Sequence, residues 1–480
     1  MKSSIQLSDN LKIPRIIVGF WQIADMENQG IKFDIGRCES DLNKYVSAGF
    51  HVFDMADHYG SSEIILGKFK NKFPQKNIKL FTKWVPSPGD ITRDIVRKNI
   101  LSSLKRMQQK SIDLLQFHTW YYPDPSWLDA LNYLNDLKGE GMIKDIGVTN
   151  FDSAHLRIAL ANGIPLVSNQ VCHSLIDNRA LGGLSNVCQQ YGIKLIVYGT
   201  LAGGFLTQKW LNKPEPKLKE LSSWSEMKYK RFIDVAGGWE VFQNMLNTIK
   251  KIADKHSVSM ANISSRYALN NENIASVIIG SRLTENNHIN ENKMLMNINL
   301  DSNDLRDISL AQEKMNPIPG DCGDEYRKEP FLTASGDLSD HIKSIPKVYK
   351  VEENITGNKV FSGTNWEKLA GYSRANKIGN IIYVSGTTAT HKNKVVGVND
   401  PSAQTHFIID KIEAAINSLG GELKDIVRTR IFINNIDDWE KVAIAHGERF
   451  SKINPANTLV EAKLVGKGYL VEIEAEAIID

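Results

Sequence analysis

Short apolar runs alternate with segments of helical spacing along the first two thirds of the chain. The runs fall at residues 16–20, 52–55, 78–81, 114–118, 145–149, 166–170, 195–198 and 276–279. Each is short and bounded by polar residues, as expected of a strand buried on both faces. The segments between them, such as 91–107 and 124–137, repeat apolar residues at helical spacing. Eight such repeats predict an α/β chain closed into a (β/α)8 TIM barrel rather than an open sheet. The longest connection, 199 to about 244, contains KPEPK and is expected to be a loop inserted over one end of the barrel.

The alternation stops near residue 316. Residues 317–359, rich in Gly, Pro, Asp and Ser, read as a linker packed between domains; the other reading folds 321–327 back over the barrel mouth. From 360 to 480 the pattern is strand-like at 381–388, helical at 403–419, strand-like at 427–433, helical near 439–450, and strand-like in TLVEAKL and LVEIEAEAII. This predicts a separate small α+β domain, a mixed sheet with helices on one face. Strand alternation puts Ile431, Ile433, Val471 and Ile473 on one face of that sheet. They are expected on the face away from the helices, needing a partner, unless they lie beneath the helices.

Composition narrows the possibilities. A chain of 480 residues with 42% hydrophobic residues can build two or three domains with real cores. A net charge of +3 is too slight to imply a nucleic-acid partner. Cys38, Cys172, Cys188 and Cys322 are scattered with no CxxC pair, which suggests reduced thiols in a cytoplasmic protein and no metal site. The N-terminus has no hydrophobic signal core, and no apolar run is long enough to span a membrane.

Candidate chemistry gathers in AGFHVFDMADHYGSSEIILGKFKNKFPQKNIKLFTKW, residues 48–84. Asp54 falls at the end of one predicted strand, Tyr59 in the loop beyond it, and Lys83 just past the end of the next. All three can meet above one end of a parallel barrel. A buried phenol beside an ammonium, itself kept charged by a carboxylate, makes a proton donor whose pKa is drawn toward working pH. The competing reading is a solvated loop tyrosine and a surface lysine. Other strands also end in polar residues on the same rim: His118, then Thr149 and Asn150, Asn169 and Gln170, and Tyr198.

Residues from about 10 to 315 resemble the aldo-keto reductases through FDMADHYG, LFTKW, LLQFHTW, GVTNF, SNQV and IIGSRLTENNHINEN, in family order. The resemblance implies a catalytic tetrad of Asp54, Tyr59, Lys83 and His118, with Tyr59 as general acid, Lys83 and Asp54 tuning it, and His118 orienting a carbonyl. It implies that Thr149, Asn150 and Gln170 hold the nicotinamide carboxamide, that Tyr198 stacks on the ring, and that Gly199, Leu201 and Gly203 also bind the cofactor. Thr149 stands where the family often has Ser, and the hydroxyl is kept. Gly280, Ser281, Arg282, His288 and Asn292 are placed at the adenosine 2′-phosphate, which favours NADPH over NADH; a guanidinium beside a helix start suits a phosphate. The implied reaction reduces an aldehyde or ketone to an alcohol. An NADPH-binding redox sensor without turnover is the alternative.

The last unit, through GYSRANKIGNIIYVSGTT, LKDIVRTRIFINN and LVEIEAEAI, resembles the Rid (reactive intermediate deaminase, YjgF-like) family, whose fold is chorismate mutase-like. The resemblance implies a homotrimer with pockets between subunits, lined by Tyr372, Ser385 and Glu472. Where the family carries a substrate-clamping arginine this chain has Asn457, and a neutral amide does not replace a bidentate guanidinium. Hydrolysis of 2-imino acids is therefore not expected; Arg374 is expected at the surface, the other reading being that it supplies the missing charge from elsewhere. The unit is read either as binding or hydrolysing a related imine or enamine, or as a trimerisation or small-molecule-binding module alone.

Overall fold

The computed structural model describes residues 3–479 apart from 90, 284–287, 335–337, 339–345 and 356. A hairpin of β1 (Ser4–Ser8) and β2 (Leu11–Pro14) leads into eight parallel strands: β3 (Ile16–Gly19), β4 (Val52–Asp54), β5 (Lys79–Trp84), β6 (Ile112–Phe117), β7 (Ile143–Thr149), β8 (Leu166–Cys172), β9 (Lys194–Tyr198) and β10 (Ile274–Gly280). β10 pairs with both β9 and β3, which closes the barrel. Each apolar run of the sequence lies on one of these strands. Ile17, Val52, Phe81, Leu114, Ile196 and Ile278 fill the interior, joined by Leu11 and Ile13 of the hairpin. Since the hairpin runs directly into the start of β3, it plugs the end opposite the strand C-termini.

Helices wrap the barrel, and several start where the sequence supplies a side-chain cap. Helix Arg93–Met107 begins after Thr92, whose hydroxyl accepts from the Ile95 amide at 3.3 Å. Removing such a cap commonly costs about 1 kcal/mol. The connection after β9 differs from the expected loop. Its irregular part ends soon after KPEPK, and helix Trp224–Val235, capped by Ser223, follows before helix Gly238–His256.

Residues 317–359 also depart from the linker reading. Asp324–Arg327 form one helical turn over the barrel mouth. β11 (Val351–Asn354) and β12 (Gly357–Val360) already belong to the C-terminal sheet, so the sheet starts before residue 360. VEEN and GNKV are short, polar outer strands with no apolar run to reveal them, and part of this stretch lies outside the described residues. The sheet continues with β13 (Ala375–Ile378) and β14 (Ile381–Thr388). A small hairpin, β15 (Thr390–His391) and β16 (Lys394–Val395), stands apart before β17 (Ile426–Ile433), β18 (Ala456–Glu461) and β19 (Val471–Ile478). The order is β11-β12-β13-β14-β19-β17-β18, antiparallel except between β17 and β18.

Ile431, Ile433, Val471 and Ile473 are each 1% exposed or less within the single chain. They lie beneath helices Pro401–Ser418 and Trp439–Phe450, not on the face away from them; alternation pairs residues by face without saying which face is which. The opposite face is charged: Arg430 bridges Glu474 at 2.7 Å and Glu476 at 3.2 Å.

Helix Pro401–Ser418 is buried on nearly every side because the barrel helix Ser153–Ala161 packs against it too. Arg157 and the Tyr191 hydroxyl donate to Asp400 at 3.0 and 2.8 Å, Asn417 donates to Tyr121 at 2.8 Å, and His391 and Lys392 meet Asp129 at 2.9 and 2.8 Å. Among the described residues no helix is long and apolar enough to cross a membrane.

Candidate active site

Parallel closure brings the C-terminal ends of all eight strands to one rim. β4 ends on Asp54, β5 carries Lys83 next to its end, His118 follows β6, β7 ends on Thr149, β8 carries Gln170, and β9 and β10 end on Tyr198 and Gly280. They surround a cavity of about 810 Å³. All four tetrad candidates line it, as do all the candidate cofactor residues except Ser281 and Asn292. Ser281 is buried, its amide bonded to the Gly19 carbonyl at 2.9 Å, and Asn292 sits inside the short helix Ile289–Met294. Those two were read from their place in a motif, which does not say which side chains face inward.

Lys83 and Asp54 form a buried ion pair, each 4% exposed at the side chain. Lys83 also donates to the Met55 carbonyl at 2.9 Å. The other Asp54 oxygen accepts from Gln116 at 2.9 Å and Gln170 at 2.8 Å, and Gln170 donates to the Gln116 oxygen as well. Gln116, on β6 in LLQFHTW, was missed in the sequence because it precedes the strand end. The Gln170 amide nitrogen is thus engaged in the wall, and its oxygen is the group it can offer to a ligand.

Tyr59 is half-buried and borders the cavity, edge-on to Trp21 at 5.1 Å, with the Lys83 ammonium 4.8 Å from its ring centroid. Burial first, then Asp54, Tyr326 and Asp57, hold its phenol well above the ordinary range. Burial pulls Lys83 below its usual value, with Asp54 opposing. The sequence expectation of a lowered phenol pKa is therefore reversed by burial and by the neighbouring Asp54, Tyr326 and Asp57. Tyr59 is thus a protonated phenol bordering the cavity.

His118 Nδ1 lies 3.2 Å from the Thr149 carbonyl oxygen. A carbonyl only accepts, so Nδ1 carries the hydrogen. In a neutral ring Nε2 is then an acceptor, and His118 can donate to a substrate carbonyl only as the imidazolium. Thr149 Oγ1 donates to the Gln170 carbonyl at 3.0 Å.

The tail closes the site. The Tyr198 hydroxyl donates to Asn150 Oδ1 at 2.7 Å and stands 3.2 Å from the Tyr326 hydroxyl, which accepts from Lys228 at 2.8 Å. Since ammonium only donates, the chain runs Lys228, Tyr326, Tyr198, Asn150. Lys228 pairs with Glu325 only at 3.8 Å and lies over the Tyr326 ring at 4.5 Å; desolvation lowers its pKa, but half-buried Tyr326 and buried Glu325 raise it overall. Arg179 holds Glu325 at 2.9 Å and the Asp321 carbonyl at 2.8 Å. Gly323 has φ 87°, and a Cβ there would stand 2.1 Å from the Asn150 carbonyl oxygen, so only glycine lets the turn sit this close.

Arg282 and His288 border the cavity after β10. Gly204, with φ 96°, lines the same cavity, and a Cβ there would meet nothing within 4 Å, leaving bare backbone toward the space. A guanidinium, open backbone and an aromatic ring around one cavity are a donor set that fits a dinucleotide with phosphates.

In the C-terminal domain three of the four pocket candidates, Tyr372, Ser385 and Glu472, lie around Arg374 and Gly386. Tyr372 accepts from Arg374 at 3.1 Å, Ser385 donates to the Ser373 carbonyl at 2.8 Å, and Glu472 pairs opposite Thr388, its carboxyl raised chiefly by burial. Asn457 sits on the outermost strand β18 and donates to Thr429 at 2.9 Å. Arg374 is 3% exposed rather than superficial; it donates to Gly386 and Thr387 at 2.8 Å.

The aldo/keto reductase family model matches residues 15–313. The chain belongs to the aldo/keto reductase family. Residues 364–479 match the family described as Endoribonuclease L-PSP, which includes the Rid proteins. An NADH-specific methylglyoxal reductase of Escherichia coli is 24% identical over 64% of this chain and 97% of its own length. The 3-aminoacrylate deaminase RutC of Acinetobacter baylyi is 36% identical over 23% of this chain and 87% of its own. In fold, the glycerol dehydrogenase of Gluconobacter oxydans covers 66% of this aldo/keto reductase-family chain and 98% of its own, with TM-score 0.55 at 19% identity.

Proposed function

We propose that the barrel reduces an aldehyde or ketone to an alcohol with NADPH. The observation that carries this reading is the placement of Tyr59 at the cavity wall, with the ammonium of the buried Lys83–Asp54 pair 4.8 Å from its ring centroid. Thr149, Asn150, Gln170, Tyr198, Gly199, Leu201 and Gly203 would hold the nicotinamide half, and Arg282 and His288 the phosphate end. The bound dinucleotide would supply hydride. Tyr59 Oη then gives its proton to the carbonyl oxygen, and the nearby Lys83 charge stabilises the phenolate left behind. Asp54 keeps that lysine charged against burial, with Gln116 and Gln170 fixing the carboxylate. His118 would orient the carbonyl, its ring held by the Nδ1 contact to the Thr149 carbonyl. Arg282 favours NADPH, although the Escherichia coli relative is NADH-specific. A screen of aldehydes, ketones and sugars for NADPH oxidation tests this; no turnover with any of them would favour a cofactor-binding sensor.

For the C-terminal domain, Asn457 in place of a substrate-clamping arginine favours binding and assembly over hydrolysis, since a neutral amide does not replace a bidentate guanidinium. We propose a homotrimer through residues 351–480, in which neighbouring chains complete pockets for a reactive imine or enamine. Ammonia release from such compounds by the full chain would overturn the binding-only role. Four buried free cysteines suit a cytoplasmic location.

A further inference from the structure

The C-terminal domain meets the barrel through a file of contacts that ends at the cavity. Asp410, on helix Pro401–Ser418, lies 2.9 Å from His155 Nε2, and Asp152 lies 2.6 Å from Nδ1. The His155 ring lies flat on Tyr122, with centroids 3.4 Å and planes 2° apart. The Arg327 guanidinium lies over the same tyrosine at 4.5 Å. Arg327 donates twice to the Thr119 carbonyl, at 2.9 and 2.6 Å, and to the Asn150 carbonyl at 2.7 Å. Thr119 follows His118, Asn150 holds the Tyr198 hydroxyl, and Tyr326 beside Arg327 lines the cavity. Asp410, His155, Tyr122 and Arg327 are each 6% exposed or less.

We infer that the C-terminal domain is a working part of the reductase site: Asp410, through His155, Tyr122 and Arg327, positions the rim carbonyls of Thr119 and Asn150. This rests on the reading of the cavity as a carbonyl reductase site. A ring held at one nitrogen can tilt, whereas carboxylates at both edges fix its plane and so fix the stack on Tyr122. Arg449 anchors Asp410 from behind at 2.7 Å and takes Glu413 at 2.8 Å, so the carboxylate is itself rigidly held. Arg327 then transmits the position of Tyr122 to two backbone carbonyls through a planar fork with little freedom. Asp410 and His155 touch no part of the cavity and are positioning residues.

The test uses the full chain. Asp410→Asn leaves one amide oxygen where two carboxylate oxygens serve His155 and Arg449. It is expected to lower kcat/KM for carbonyl reduction roughly 3- to 30-fold, mainly in kcat. Asp129→Asn, at the same domain interface but outside the file, is expected to stay within about twofold of the parent, as additive, distant sites do. Combined with Arg327→Lys, Asp410→Asn should add little further loss; fully additive losses overturn the inference. His155→Gln, which leaves the Asp410–Arg449 pair in place, is a second probe held to the same outcomes should Asp410→Asn fold poorly. Tyr59→Phe in the same assay separates the two levels. Parent turnover abolished by Tyr59→Phe, with Asp410→Asn and His155→Gln equal to the parent, overturns the inference alone. If the parent turns over no carbonyl, the reductase reading fails and hydrogen exchange decides the positioning. Faster exchange of the 119–122 and 323–328 amides in either variant supports it, and unchanged exchange overturns it.

Discussion

Arg282 shows what a single residue can decide. It follows β10, borders the cavity, and presents several donors that suit a phosphate dianion. Arg282→Ala is expected to weaken NADPH by about 1 to 3 kcal/mol, the range for a hydrogen bond to a charged group, and NADH far less. Fluorescence titration of both cofactors checks this, and equal weakening would remove Arg282 from the 2′-phosphate. At this scale the sequence was informative where a residue closes a strand: Asp54, His118, Thr149 and Tyr198 stand at polar steps after apolar runs. It was uninformative for Gln116, which lies within a strand and faces inward through the pleat, and for the Tyr59 pKa. That shift depends on burial and on the groups packed around the phenol, Asp54, Tyr326 and Asp57, and neither is a property of spacing.

Among the elements, the turn Asp324–Arg327 matters most, and the sequence offered its return over the barrel mouth only as a second reading. Tyr326 reaches Tyr198 and Lys228 across 128 and 98 residues of sequence, and no local pattern reports contacts at that range. Gly323→Ala places a Cβ against the Asn150 carbonyl in a left-handed backbone, a strain of about 1 to 3 kcal/mol or more. A lower Tm and weaker cofactor binding are expected; a variant indistinguishable from the parent would mean that the turn gives way without cost. The helix Ser153–Ala161 carries a pH signature. His155 faces Asp152, Asp410 and Glu413, with His406 and Arg449 behind them. Burial alone would lower its pKa, but the carboxylates raise it above 6.5. The raised value means that protonated His155 stabilises the fold fully below 6.5, and that this contribution fades as the pH rises through the folded-state pKa. The Tm gap between the parent and His155→Gln should therefore narrow on the alkaline side; a gap that widens there would contradict the imidazolium assignment.

For the whole molecule, the two domains share one packed interface, and the C-terminal sheet turns a charged face outward. The eight-fold alternation made the barrel legible because strand length and helix spacing are local. The face assignment of Ile431 and Val471 was not legible, because alternation is symmetric and the helix position is not encoded in it. A full-length chain at micromolar concentration should elute as three chain masses in size-exclusion chromatography with light scattering, and a monomer would contradict assembly through residues 351–480.

The claim on which the rest depends is that Tyr59 is the proton donor of a carbonyl reductase, and NADPH-dependent reduction by Tyr59→Phe tests it most directly. Loss of the proton donor should cut kcat by roughly 10² to 10⁴ while NADPH titration stays near the parent. Turnover within about threefold of the parent, against a general-acid contribution of that size, would contradict it.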